Sequence, residues 1–275
     1  DVDFPDAAEM AAFDTMETDL TMDCPDPEGP EFGNCGAWDY ISNIFLLDTD
    51  GVTWLEMARF ITTYHRQGRY LVDTTPMLAY LQEGGTRRIR FVISPEWNPQ
   101  EYLTQMDFRF QSKGKGYAPA TAVSLFAGGD FNSQYNVSYQ PLDVPIPAGA
   151  LHVELWATIT GHGADTNSCS EFCNHSHEFL VNGTEYSVSH PVAGTSSGCM
   201  AQVDHGMVPN QGGTWWFGRG GWCPGQQVEP HVFDVTADVT PSETAVIEYS
   251  GNYLGNTPPD SSGNIVMTSY LVIYE

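Results

Sequence analysis

"LHVELWATIT", residues 151–160, alternates apolar and polar side chains along most of its length. A period of two places every second residue on one face, so the stretch reads as a strand with one buried face. Nine further stretches have the same β-rich character: 40–47, 53–62, 87–94, 102–110, 121–127, 178–183, 231–236, 244–251 and 264–275. Gly and Pro clusters punctuate them. Helix is expected only over 6–20 and for a turn or two in 75–83. Many short strands separated by turn signals predict an all-β protein, a sandwich or jelly roll.

The chain has 275 residues and is 41% hydrophobic, enough to bury a substantial core. That length suits two modest all-β domains. "PLDVPIPAGA" (141–150) concentrates prolines and reads as a connector, which predicts domains of 1–146 and 147–275. No apolar run approaches the ~20 residues of a membrane helix. No signal peptide is visible, and the first residues read as a mature start.

The net charge of −25 gives a surface that repels nucleic acid and anionic lipid. Lys113 and Lys115 are the only lysines, and seven of the eight arginines lie between Arg59 and Arg109. Arg219 is thus a lone arginine in an acidic half-chain, expected to hold a specific carboxylate or ligand. Six cysteines (Cys24, Cys35, Cys169, Cys173, Cys199, Cys223) make an even set, which with the scarcity of lysine predicts an exported, disulfide-bearing protein. Nearest-neighbour pairing is the simplest choice, and the spacing leaves others open. Asn136, Asn174 and Asn182 head N-x-S/T sequons, a pattern common by chance.

Four segments carry residues suited to chemistry. In "CGAWDY" (35–40), Asp39 follows Trp38, and a carboxylate beside an aromatic can be desolvated into a base useful near neutral pH. It could equally cap a turn or strand. In "CSEFCNHSHEF" (169–179), the cysteines with His175 and His177 would crowd four zinc ligands onto nearly one strand. Zinc sites favour two short-spaced pairs that fold back on each other. A disulfide loop presenting Glu171 is the easier reading, with His175 and His177 on one strand face, free to bind a metal or simply to hydrogen-bond. In "FGRGGWCPG" (217–225), Arg219 and Trp222 lie among glycines; the arginine can grip a carboxylate or sugar hydroxyl, and the tryptophan can face a sugar ring or plug a core. In "SPEWNP" (94–99), Glu96 and Trp97 lie at a strand end. No G-x-S-x-G, P-loop or dinucleotide fingerprint occurs.

Taken in order, C-x-x-W-D, "ARFITTY" (58–64), the strand-end E-W, "TITGHG" (158–163), C-x-E-x-C and "GRGGWCPG" (218–225) resemble the bacterial peptide N-glycosidase F family, from about residue 14 to the C-terminus. The resemblance implies two jelly-roll domains with the active site at their interface. It implies hydrolysis of the amide joining asparagine to the first N-acetylglucosamine of an N-glycan, without a cofactor. Asp39 falls on the family's essential aspartate and Glu171 on its second functional carboxylate. Trp38, Arg219 and Trp222 fall on substrate positions, which Tyr40, Glu96, Trp97 and His162 complete. The implied disulfides are 24–35, 169–173 and 199–223. This sequence departs from the family pattern at Tyr40 (an arginine there), His162 (a tryptophan), His175 (an arginine) and around Trp97, where Pro95 occupies the glutamate position and Glu96 lies one residue off.

The fold so implied also resembles the copper domains of peptidylglycine monooxygenase. That likeness implies, as an alternative, a single copper held by His175, His177 and Met267, a donor set of two imidazoles and a thioether suited to copper. A non-catalytic glycan-binding module is a third reading. The leading expectation is an exported monomeric amidase acting on N-glycosylated proteins or glycopeptides.

Overall fold

The computed structural model describes residues 1–163, 169–260 and 263–275. Within them every strand pairing is antiparallel, and the chain divides into two compact units.

The first unit is built from β1 (Val2–Asp6), β2 (Thr15–Asp23), β3 (Ile41–Leu47), β4 (Trp54–Ile61), β5 (Gly68–Asp73), β6 (Gly84–Arg87), β7 (Ile89–Val92) and β8 (Leu103–Gln111). They form sheets of order β5-β2-β8 and β4-β3-β7, with β1-β6 as a separate pair. The helix expected over 6–20 is a single turn, Ala7–Met10, capped by Asp6, whose carboxylate accepts from the backbone N–H groups of Ala8 and Glu9. Thr15–Asp23 is instead the central strand β2. Its buried Asp19 is matched by Arg69 on β5 and Arg109 on β8, so a charged residue there is compatible with a sheet interior. The turn expected in 75–83 is present as Thr75–Leu81.

The second unit contains β9 (Pro119–Asp130), β10 (Leu142–Pro145), β11 (His152–His162), β12 (His175–Val181), β13 (Thr184–Ser189), β14 (His231–Asp234), β15 (Thr244–Tyr253) and β16 (Asn264–Tyr274). Its sheets run β10-β15-β12-β13 and β14-β11-β16-β9. That interleaving, in which sequential strands alternate between two four-stranded sheets, is jelly-roll topology. The core between them includes Phe126, Val153, Leu155, Ile159, Phe179, Ile247 and Leu271. The alternation that marked 151–160 as a strand therefore seats Val153, Leu155 and Ile159 inside, each worth about 1.5–3 kcal/mol when fully buried.

The division falls between Ala118 and Pro119, not near 146. The proline-rich stretch is no linker. Leu142–Pro145 pairs with Thr244–Ile247 at a sheet edge, where a proline costs no ladder bond. Nor is the split sequential, because Cys199–Trp216 and Trp222–Glu229 belong to the first unit. Backbone bonds explain the return: Ile61 N–H to Gln226 O at 3.0 Å, Gly225 N–H to Ile61 O at 3.0 Å and Val228 N–H to Arg59 O at 2.9 Å extend β4 with residues 225–228.

Candidate functional site

Asp39 lies in the loop entering β3, and the loop is held by one hydroxyl. Thr62 is fully buried; its Oγ1 donates to the Trp38 carbonyl at 2.6 Å and accepts the Tyr40 N–H at 2.8 Å. Its own N–H donates to the Tyr40 carbonyl at 2.9 Å. The residues on both sides of Asp39 are thereby tied to one rigid strand end. A second loop, 94–100, braces the first. Ala37 N–H donates to Gln100 Oε1 at 2.6 Å, and Asn98 Nδ2 donates to the Tyr40 hydroxyl at 2.6 Å. Trp97 meets the Tyr40 ring edge-on at 5.8 Å.

Trp38 remains 51% exposed and Trp97 78%, unusual for tryptophans of an ordered loop pair. Glu96 is also exposed. The first unit thus gathers Trp38, Asp39, Tyr40, Glu96 and Trp97: a half-buried carboxylate beside open aromatic faces.

Trp222 does not present an aromatic face to solvent. It is 6% exposed and packs with Ile61 and Val228, with Ile41 against them. It plugs the core where residues 225–228 join β4, so its expected place against a sugar ring is corrected to a structural one.

In the second unit, Cys169 and Cys173 are bonded, as are the pairs 24–35 and 199–223 in the first. The small loop presents Glu171. Arg219 Nε donates to Glu171 Oε1 at 3.2 Å, Gly163 N–H donates to Oε2 at 3.2 Å, and Gly220 N–H donates to the Glu171 carbonyl at 2.7 Å. Arg219 is 1% exposed, donates to the Phe217 carbonyl at 3.0 Å and lies over the Phe172 ring. The lone arginine does hold a carboxylate, as expected. Its burial makes it a positioning residue for Glu171 rather than a direct grip on substrate. His162 is half-buried, its Nε2 2.8 Å from Thr160 Oγ1.

His175 and His177 point inward from β12, and both are fully buried. The third group gathered with them is His190, not Met267. One ligand-capable nitrogen from each of the three histidines lies within 4.8 Å of the others. Met267 is part of the apolar core. His175 Nδ1 is 2.7 Å from His177 Nε2, and His177 Nδ1 is 2.7 Å from the Tyr249 hydroxyl, which is 2.7 Å from the Tyr135 hydroxyl. Burial pushes His175 down to about 4, with the Ser170 carbonyl offsetting it slightly. Burial, then repulsion from the neighbouring imidazoles, holds His177 and His190 well below their ordinary value. All three rings are therefore neutral at physiological pH.

The sequence carried an unused signal for His190. "VNGT" (181–184) is an Asn-Gly hairpin turn, and both turn residues have positive φ, 48° and 87°. Counting back from that turn sets Val181 opposite Thr184 and His177 opposite Val188, so His190 follows in register to face His175. Thr62 left no such trace, since its role depends on a contact 24 residues away.

A family model described as "Peptide-N-glycosidase F, C terminal" matches residues 130–272, more than half of the chain. The peptide-N(4)-(N-acetyl-beta-D-glucosaminyl)asparagine amidase F of Elizabethkingia miricola is 22% identical over 283 aligned positions, covering 96% of this chain and 75% of that protein. The solved structure of PNGase F, a glycosylasparaginase from Flavobacterium meningosepticum, superposes with a TM-score of 0.71 at 19% identity, covering 99% of this chain and 87% of that one. PNGF-II superposes with a TM-score of 0.67 at 13% identity, over 99% of this chain and 58% of that one. With the family model matching more than half of the chain and the fold shared along the whole length, this chain belongs to the peptide-N-glycosidase F family.

Proposed function

We propose that this protein is an amidase that hydrolyses the bond between asparagine and the first N-acetylglucosamine of N-glycosylated proteins or glycopeptides. The observation that carries the reading is a loop tied down by Thr62 and flanked by the exposed Trp38 and Trp97, which holds Asp39, the residue that the resemblance matches to the family's essential aspartate. Asp39 takes a proton from water. The resulting hydroxide adds to the side-chain amide carbonyl; as the adduct collapses, Asp39 returns the proton to the nitrogen, which leaves as a glycosylamine, and aspartate remains in the peptide. Water then hydrolyses the glycosylamine to the free sugar and ammonia. Open tryptophan faces suit the apolar faces of sugar rings, and Tyr40 and Glu96 supply polar contacts beside them. Glu171, its carboxylate fixed by Arg219 and the Gly163 N–H, serves as the second functional carboxylate.

This hydrolysis needs no cofactor. The three disulfides fit an exported protein working in an oxidising compartment. No helix among the described residues is long and apolar enough to cross a membrane. The test is incubation with a denatured N-glycoprotein and mass spectrometry for conversion of glycosylated Asn to Asp. Wild type is expected to convert it, and Asp39→Asn to lose at least about 10²-fold in rate while keeping its thermal midpoint. Full activity in Asp39→Asn would remove Asp39 from the chemistry.

The exposed tryptophans also support a second reading, a glycan-binding module without catalysis. It predicts retention of N-glycans on the protein with no Asn-to-Asp conversion.

A further inference from the structure

We propose that His175, His177 and His190 bind a single copper ion in its monovalent state. The reasoning starts from what surrounds the three rings. They are 1%, 0% and 5% exposed, and no carboxylate or thiolate joins their cluster among the described residues. His190 Nε2 is a buried nitrogen without a hydrogen-bond partner. Buried polar atoms are nearly always satisfied, and an orphan in a cluster of neutral imidazoles points to a missing partner that accepts nitrogen lone pairs. A neutral imidazole is a metal ligand as it stands, with no proton to displace from the ligating nitrogen.

The second-sphere pattern agrees. A ligating histidine ordinarily turns its other nitrogen to a hydrogen-bond partner, and His177 Nδ1 meets the Tyr249 hydroxyl, itself backed by Tyr135. The fold has also made room. A Cβ on Gly161 or on Gly220 would lie 2.4 Å from His175 Nε2, and one on Gly221 would lie 2.8 Å from His190 Cε1.

Charge and spacing choose the ion. Transferring an ion into a dry site costs free energy that grows as the square of its charge. Three neutral ligands leave a divalent ion uncompensated, whereas a monovalent one carries a quarter of that penalty. Imidazole nitrogen suits copper. The three ligand-capable nitrogens lie within 4.8 Å of one another, near enough to converge on one small ion. The proposal does not depend on the amidase reading.

The full-length protein is titrated with copper(I) under anaerobic conditions against the chelator bicinchoninate. Stoichiometry is read by native mass spectrometry and the ligand shell by X-ray absorption. Zinc(II) is titrated in parallel. The expected result is one copper per chain, a nitrogen shell with imidazole scattering and no sulfur, and at least a tenfold weaker affinity in His190→Ala and His177→Ala. His190→Gln replaces the alanine variant if the latter fails to fold, and absorption on wild type decides the ligands in either case. Failure to retain copper against the chelator overturns the proposal. So do zinc retained in preference to copper, a sulfur scatterer, or variants that bind like wild type.

Discussion

At the scale of single residues, the candidate site depends as much on Thr62 as on Asp39. One buried hydroxyl satisfies the backbone on both sides of the carboxylate, at Trp38 O and Tyr40 N. Thr62→Val keeps the shape and removes the hydroxyl, leaving a buried donor and acceptor unpaired. We expect a loss of about 1–3 kcal/mol in stability, measured by urea unfolding. We also expect kcat to fall about ten- to a hundredfold, because a small displacement of a catalytic group is expensive. Thr62→Ser should restore most of both; a serine variant as impaired as valine would mean that the methyl, not the hydroxyl, places the loop. The C-x-x-W-D motif made Asp39 visible in the sequence, since short-range spacing is enough to recognise it. Thr62 was not visible, and Trp222 was misread as a sugar platform. A tryptophan among glycines looks the same in sequence whether it faces solvent or the core contact with Ile61 and Val228. The sequon asparagines show the same limit. Asn136 exchanges hydrogen bonds with the Gly251 backbone in both directions, and Asn174 accepts the His190 N–H, so these side chains hold the fold.

At the scale of elements, alternation was a dependable guide wherever a strand had one apolar face, as in β11, β12 and β15. It failed for β2, whose polar residues Thr18 and Asp19 are buried and satisfied by partners from elsewhere in the chain. Strands β5 and β13 escaped for a related reason: each runs past charged residues such as Arg69 and Glu185 that look out of place in a sheet. A tight element-level constraint lies where β11 passes the disulfide loop. Gly161 N–H donates to the Gly220 carbonyl at 2.7 Å, and a Cβ on Gly161 would lie 2.1 Å from the Ser170 carbonyl. Backbone cannot give way as a flexible side chain can. Gly161→Ala is therefore expected to cost about 2–4 kcal/mol, read as a lower denaturant midpoint. A variant within ~0.5 kcal/mol of wild type would show that the strand and loop separate at little cost.

At the scale of the whole molecule, a net charge of −25 means that carboxylates far outnumber the cations available to pair with them. The Asp19 centre shows how one is chosen. Hydrogen bonding from Arg69, then the charges of Arg109 and Arg69, outweigh burial and hold the Asp19 carboxyl below its ordinary value. The sign follows. The unfolded chain binds its proton near pH 3.9, the folded chain only at lower pH. The contribution is therefore fully present above about pH 4 and is lost as pH falls through the depressed folded value. Asp19→Asn should lower stability by about 1–3 kcal/mol at neutral pH, toward the smaller figure because both arginines are partly exposed. Its urea midpoint should then fall less steeply than that of wild type between about pH 4 and pH 2. Parallel acid profiles would assign the acid response to other groups. What the sequence determined by itself was whatever repeats at short range: the all-β class from its period of two, the disulfide loop around Glu171, the motif carrying Asp39 and the placement of His175 and His177 on one strand face. Tertiary structure alone decided the rest. It placed the unit boundary at Pro119, returned residues 199–216 and 222–229 to the first unit, buried Arg219 and Trp222, and brought His190 to the histidine pair. Those outcomes depend on which distant backbone edges and buried polar groups find partners, and that is settled by the free energy of the assembled core rather than by any local pattern.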